Sequence, residues 1–313
     1  MDKNTKISIV ILTYNRCGLL DSLLTSIKEI KYASLECIVV DNHSIDTTKE
    51  MVAEKHQEIK FISTERNIGV GARNIGIERA SGDIIICLDD DVFGINDQSI
   101  YKIIDKFKQY PTLGSLNFKI IDSDTGEQCN WVHHCERDKY SDKDIKTYEI
   151  TEGAVAFKKD SLRKAGLYPN YFFISHEGPD LALRLIDNGY DVMYCGDIVV
   201  KHCHSNLGHK TWLNYYYDTR NQYWLAARNL PLVYAIKYLL RGQISTLVYS
   251  IRDGFFKYWI KAVVDGVMGL PRAFCDRKVV SRDTQNVIKA IDEMRPSIVY
   301  MIKERVFARG MRL

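Results

Sequence analysis

The chain has 313 residues, 46% of them hydrophobic and 27% charged, with 6 prolines and 19 glycines. That balance gives a globular protein with ample material for a core and excludes a disordered or fibrous chain. The net charge of +3 hides an asymmetry: residues from 201 onward carry 19 Lys/Arg against 8 Asp/Glu, while the first 200 sum to −8, which points to two jobs or to one job done at an anionic surface.

Ile7 to Leu12 is an unbroken apolar run with polar flanks, the pattern of a strand buried on both faces. Leu19, Leu20, Leu23, Leu24 and Ile27 follow at helical spacing. Glu36 to Val40 predicts a second strand. A helix through Met51, a short strand at Ile59 to Ile62 and a helix from Val70 to Ala80 come next, the last stopped by Ser81-Gly82. Asp83 to Leu88 predicts a further buried strand running straight into Asp89-Asp90-Asp91, and Ile100, Ile103, Ile104 and Phe107 mark another helix. Strands alternating with helices predict a mostly parallel α/β sheet.

Residues 120–150 are polar and weakly periodic, as in an irregular insert. Gly153 to Phe157 predicts a short strand, and Ile198 to Lys201 another ahead of His202 and His204. Between them, Asp180 to Asn188 predicts a helix with Pro179 at its first position and Gly189 as its C-terminal cap. Beyond about 210 aromatic and basic residues interleave. Leu230 to Leu270 combines helical apolar spacing with Lys237, Arg241, Arg252, Lys257 and Lys261.

Met1-Asp2-Lys3-Asn4 leads into no apolar signal core, and no run is long enough to span a bilayer. Eight scattered cysteines then suggest free thiols in a reducing cytosol.

In open α/β sheets the ligand sits beyond the carboxyl ends of the strands. Three such ends carry polar residues: Thr13-Tyr14-Asn15, Asp41-Asn42 and Asp89-Asp90-Asp91. Three adjacent carboxylates repel one another and are kept most readily where cations bind, and in an extended segment Asp89 and Asp91 face the same way and can share one divalent ion. A solvated acidic turn is the alternative. Asp41 can accept hydrogen bonds from a base or ribose; the alternative is an Asx-type turn capping the next helix, a role Ser44 or Asp46 could fill. Gly69-x-Gly71 ahead of Arg73 lacks the third glycine of a dinucleotide fingerprint and follows the wrong strand, but it suits a diphosphate or a close-packed helix start. His133 and His134 with Cys129 and Cys135 match no strong zinc spacing and read as a surface loop.

Ser8-Ile-Val-Ile-Leu-Thr-Tyr-Asn-Arg16, the Asp-Asn-x-Ser-x-Asp of 41–46, Asn67-x-Gly with Ala72-Arg-Asn-x-Gly76, and Leu88-Asp-Asp-Asp91 resemble, in order and spacing, family 2 glycosyltransferases. The resemblance covers about 1–225. It implies a GT-A fold: a Rossmann-type, mostly parallel sheet flanked by helices, here with a helical C-terminal extension. It also implies an inverting enzyme that uses a nucleotide-diphosphate sugar with Mn²⁺ or Mg²⁺. Thr13, Tyr14 and Asp41 would hold the base, with Asn15, Asn42 and Asp90 also on the donor side. Arg73 would lie near the nucleotide, Asp89 would face the ribose, and Asp91, with Asp89 and His202, would bind the metal. Arg220-Asn221 resembles a family dipeptide near the acceptor or diphosphate. Downstream the family has Glu-Asp before a helix; here Glu177 is kept, Gly178 stands for the Asp, and Asp180 follows. An inverting transfer needs one carboxylate to take the acceptor proton, and Glu177 is favoured for it over Asp180.

The expected organisation is a catalytic domain over 1–225, with a donor half of about 1–115 and an acceptor half of about 116–225, then a basic helical region over 226–313. The expected partners are a nucleotide-sugar donor and a glycan or lipid-linked acceptor, and not nucleic acid. The C-terminal region would lie on an anionic membrane, with Phe255, Phe256 and Trp259 among headgroups, at the cytoplasmic face of the plasma membrane, or would form a homodimer. The rivals are a binding module that has lost turnover and a sugar-nucleotide pyrophosphorylase, which would carry a Gly-rich basic loop where Thr13-Tyr-Asn-Arg-Cys17 stands.

Overall fold

A computed structural model describes residues 5–203, 211–297 and 300. His204 and the basic residues beyond 300 lie outside that set. The first half alternates as its apolar pattern requires: β1 (Ile7–Thr13), α1 (Cys17–Lys28), β2 (Leu35–Asp41), α2 (Thr48–Lys55), β3 (Lys60–Ser63), a 3₁₀ turn (Gly69–Ala72) leading into α3 (Arg73–Arg79), β4 (Ile84–Asp89), β5 (Val92–Phe93) and α4 (Asp97–Gln109). The second half holds β6 (Leu113–Asp122), α5 (Arg137–Tyr140), β7 (Ile145–Lys146), β8 (Ala154–Lys158), α6 (Lys159–Ala165), α7 (Glu177–Asp187) and β9 (Asp191–His202). Five helices follow: α8 (Trp212–Asn229), α9 (Leu232–Arg252), α10 (Phe256–Met268), α11 (Leu270–Cys275) and α12 (Arg282–Asp292).

The strands form one sheet in the order β3-β2-β1-β4-β8-β6-β9-β5, with β7 on β9. β3, β2, β1 and β4 are mutually parallel, and β6 is parallel to β9. β8 runs antiparallel between β4 and β6 and joins the two parallel sets. Alternation along β1 builds both cores. Ile7, Ile9 and Ile11 pack with Leu20, Leu24, Ile100 and Ile104 on one face, while Val10 joins Ile77, Leu181 and Leu225 on the other.

Three features differ from the sequence expectations. β6 was hidden by Ser115 and Asn117, both fully buried. The Asn117 amide donates to the Glu149 and Met193 carbonyls at 3.0 Å and its oxygen accepts from the Thr151 N–H at 2.8 Å, so a polar residue serves as a core tie. α7 starts at Glu177, ahead of Pro179, because a first-turn proline lacks only an N–H that has no helical partner anyway. In the C-terminal helices Phe255 stacks on Tyr215 at 4.9 Å and Trp259 donates to Thr246 at 3.1 Å, so of the three aromatics only Phe256 faces outward. All eight cysteines are free thiols.

Candidate active site

The carboxyl ends of β1, β2 and β4 lie side by side, as the parallel pairing demands. At β1, Thr13 donates from its hydroxyl to Asp90 at 2.7 Å. Tyr14 is 44% exposed and is the ring at this edge able to lie against a base. Asn15, in the left-handed region at φ 53°, spends its side chain on the Ile45 N–H at 2.8 Å. At β2, buried Asp41 accepts from the Ser44 N–H at 3.1 Å and the Ser63 hydroxyl at 3.2 Å. Asn42 is committed as well. Its amide donates to Asn67 and to the Gly69 carbonyl, and its oxygen accepts from the Ile68 N–H at 2.9 Å. Asn15 and Asn42 therefore shape the loops around the donor edge.

The three aspartates after β4 part company. The strand ends at Asp89 and the chain turns at 90–91, so strand alternation no longer aligns Asp89 with Asp91. Asp89 pairs with Arg73, whose guanidinium is fully buried with Nε and Nη1 unbonded. Asp90 pairs with Arg16 at 3.0 Å; burial pushes its carboxyl up to about 6 against the pull of Arg16 and Thr13. Asp91 pairs with Arg16 through one oxygen and lies 3.3 Å from His202 Nε2 through the other. Burial works against the Asp91 carboxylate, but His202 and Arg16 outweigh it and hold the group below its usual range. The same pairing, with Cys129, overcomes burial and raises His202 to about 10. Asp89 is thus held by Arg73 and no longer aligned with Asp91 by strand alternation. Asp91 Oδ1 is buried without a hydrogen bond and faces His202 Nε2; the two would make a donor pair for a divalent cation that displaces the imidazolium proton. Among the described residues the one trio of ligand atoms within 4.8 Å of one another is Asp144, Cys195 and Asp197, where Lys106 neutralises Asp144.

The acceptor side is built by the segment before α7. Phe173, Ser175 and His176 all have left-handed backbones, at φ 70°, 75° and 64°. Such strain persists only where the surroundings impose it. Here α8 does so: Asn221 donates to the Phe172, Ile174 and Ser175 carbonyls at 2.7–3.0 Å, and Arg220 to Phe172 at 2.8 Å. The Arg220-Asn221 pair positions this loop.

Glu177 opens α7 with 2% exposure and an Oε2 that makes no hydrogen bond. Burial and then Glu152 push its carboxyl well above the usual range, which favours the protonated form. Asp180, three residues on, has the opposite environment. It is fully buried between Arg184 at 2.9 Å, Arg228 at 2.8 Å and the Asn229 amide at 2.6 Å. Those arginines outweigh burial and keep it ionised, but no oxygen is left for an acceptor, so Asp180 is a structural anchor and not a candidate base.

Glu152 is the residue that sequence reasoning missed. A Cβ on Gly178 would lie 2.0 Å from Glu152 Oε1 and 2.4 Å from the Ile150 carbonyl. The Glu152 carboxylate therefore fills the space left by the absent Asp side chain. The neighbouring Gly153 is constrained likewise, since a Cβ there would lie 2.1 Å from the Asp89 carboxylate. Glu152 is half-buried, and among the described residues it has no ion-pair partner; burial pushes it up to about 7, with Arg73 opposing and Asp89 and Glu149 adding to the rise. A carboxylate waiting 26 residues upstream of a missing one is the signal that could have found it.

With this geometry in place, residues 8–166, just over half of the chain, match the description Glycosyl transferase family 2. The chain belongs to that family. Its curated relatives include the poly-beta-1,6-N-acetyl-D-glucosamine synthases of Staphylococcus epidermidis, 34% identical over 113 residues, and of Staphylococcus aureus strain MSSA476, 29% over 119 residues. These matches cover 35% and 37% of this chain, and 27% and 29% of those proteins, so under a third of each relative is spanned. The mannosyltransferase PcManGT of Pyrobaculum calidifontis, solved with GDP-Man and Mn²⁺, is 18% identical; the match covers 98% of this chain and 90% of that one with a TM-score of 0.56. Staphylococcus aureus TarS 1-349, solved with UDP-GlcNAc, is 17% identical over 92% of this chain and 88% of that one, with a TM-score of 0.62. At that identity the likeness carries the fold, which is GT-A.

Proposed function

We propose that the chain transfers a sugar, with inversion, from a nucleotide-diphosphate donor to a hydroxyl of a glycan or lipid-linked acceptor. The carrying observation is the presence of two unlike carboxylate groups: Asp91 with His202 after β4, and Glu152 with Glu177 at the start of α7, with Asp89 packed against Gly153 beside Glu152. The nucleotide-sugar complexes of the two fold relatives support the donor class. We read residues up to about 225 as the catalytic unit and 226–313 as an attached helical region.

Tyr14 and Asp41 bind the base and nucleoside, while Thr13 and Arg16 fix Asp90. Arg73, held by Asp89, brings positive potential to the diphosphate end. A Mn²⁺ or Mg²⁺ ion held by Asp91 and His202 would supply charge neutralisation for the departing diphosphate. Glu152, ionised and the more exposed of its pair, accepts the acceptor proton as the acceptor oxygen bonds to the anomeric carbon and the bond to diphosphate breaks. Glu177 retains its proton, which keeps two negative charges from facing each other. Glu177, the base favoured from sequence, thereby becomes the proton-holding partner.

Gly178 taken alone favours the binding-module rival, because the family's base is absent there. A turnover assay decides between them. Incubating the chain with UDP- and GDP-sugars, Mn²⁺ and oligosaccharide or lipid-extracted acceptors should release nucleoside diphosphate stoichiometrically with glycosylated product. Thermal stabilisation by a nucleotide sugar with no product from any acceptor would overturn transfer in favour of binding.

A further inference from the structure

The C-terminal helices carry a surface that the transfer chemistry does not use. Ile236, Leu240, Ile244, Val248 and Ile251 recur every three or four residues along α9, each 49–60% exposed. Such spacing lines one face of a helix. α10 repeats the arrangement with Phe256, Ile260, Val264 and Val267, each 43–50% exposed. Large aliphatic residues at regular spacing on an outer face need a partner, because soluble surfaces rarely hold contiguous apolar patches of this kind.

The charges beside the stripes say which partner. Lys237, Arg241 and Arg252 on α9 and Lys257 and Lys261 on α10 are exposed, and no exposed residue of either helix is acidic. Two copies paired stripe against stripe would bring these basic rims together, and the nearest acids, Asp253 and Asp265, are already taken by Arg252 and Lys261 within the chain, which opposes a symmetric dimer. An anionic bilayer meets both demands, taking aliphatic side chains at the headgroup boundary and Lys/Arg at phosphates. Among the described residues no helix is long and apolar enough to cross a membrane, so docking in the plane is what this surface can do.

We propose that α9 and α10 together form a two-helix membrane-docking face for an anionic bilayer. The inward side of α9 reaches the site: the Tyr238 hydroxyl lies 3.0 Å from His176 Nδ1, and His176 immediately precedes Glu177. Docking therefore fixes the acceptor side of the site relative to the bilayer, as a lipid-linked acceptor requires. That consequence rests on the proposed transfer reaction; the docking itself does not.

The test is flotation of the full chain with phosphatidylglycerol vesicles and with phosphatidylcholine vesicles. The chain should float with the first and not the second. Binding should fall by about tenfold or more between about 0.1 M and about 1 M salt, where the Debye length drops from about 10 Å to about 3 Å. Leu240→Glu with Ile244→Glu should abolish flotation at unchanged melting temperature, since both side chains already face water. That variant should still turn over a water-soluble acceptor, so failure of docking and failure of transfer read out separately. No flotation with anionic vesicles at low salt would overturn the proposal, as would a vesicle-free dimer that the same double substitution splits.

Discussion

The end of β4 and the start of α7 are both rich in carboxylates, and they handle charge in opposite ways. Each aspartate of the 89–91 run has a cation of its own, from Arg73, Arg16 or His202. Glu152 and Glu177 have none among the described residues, and burial drives both upward in pKa. The difference separates two tasks. Paired carboxylates are pinned in place by their cations, even Asp90, which burial lifts to about 6. Unpaired ones stay near their titration point, where a proton can be taken up and given back. Asp180 lies in the same first turn as Glu177 yet belongs with the paired kind, so sequence position alone does not assign the task.

The largest effect expected from this contrast is on stability. Asp180→Ala would leave Arg184 and Arg228 buried without their shared partner, at a cost of about 3–5 kcal/mol. Urea unfolding measures it directly. A change under about 1 kcal/mol would mean that the arginines find other acceptors and that Asp180 is not an anchor.

Catalysis comes next. Glu152→Gln should keep nucleotide affinity but lower transfer about 10²-fold or more, the scale for removing a positioned base. Glu177→Gln, which keeps a neutral side chain where a neutral acid already stands, should cost far less. If Glu177→Gln loses activity and Glu152→Gln does not, the roles within the pair are reversed.

A smaller effect tests the space between them. Gly178→Ala forces a methyl against Glu152 and against the rigid Ile150 carbonyl, an overpacking that costs about 1–3 kcal/mol. Activity should drop with it, because the carboxylate that must move is the one proposed as base. Full activity at unchanged stability would show that Glu152 is not seated against Gly178.

Much of this was legible before any coordinates. The apolar runs of β1, β2 and β4 are continuous because those strands are covered on both faces, and the polar residues at their ends had one edge to occupy. The alignment of Asp89 with Asp91 does not follow from strand alternation, because the strand stops at Asp89 and the chain turns over the next two residues. β6 escaped because Ser115 and Asn117 look like surface residues until their hydrogen bonds are known. Glu152 escaped for a different reason: its role comes from a close approach to Gly178, and contact between distant segments leaves no periodic trace.

The last effect is a pH profile. Burial raises Glu152 to about 7, opposed by Arg73 and reinforced by Asp89 and Glu149. A base works only when ionised, so kcat/KM should climb with pH and level off above about 7, falling about tenfold per unit below it. The stability sign runs the other way. A carboxyl whose folded pKa lies above its unfolded value of about 4.3 contributes stability below that value and loses it as pH rises through the folded pKa. The chain should therefore be less stable at pH 8 than at pH 6 to the extent that Glu152 ionises, and Glu152→Gln should remove that part of the loss. A single substitution would then lower activity while raising stability at alkaline pH, an outcome that a merely structural Glu152 does not give. If the residual activity of Glu152→Gln keeps the same rise near pH 7, the titrating group lies elsewhere, and the contrast between paired and unpaired carboxylates does not govern the reaction.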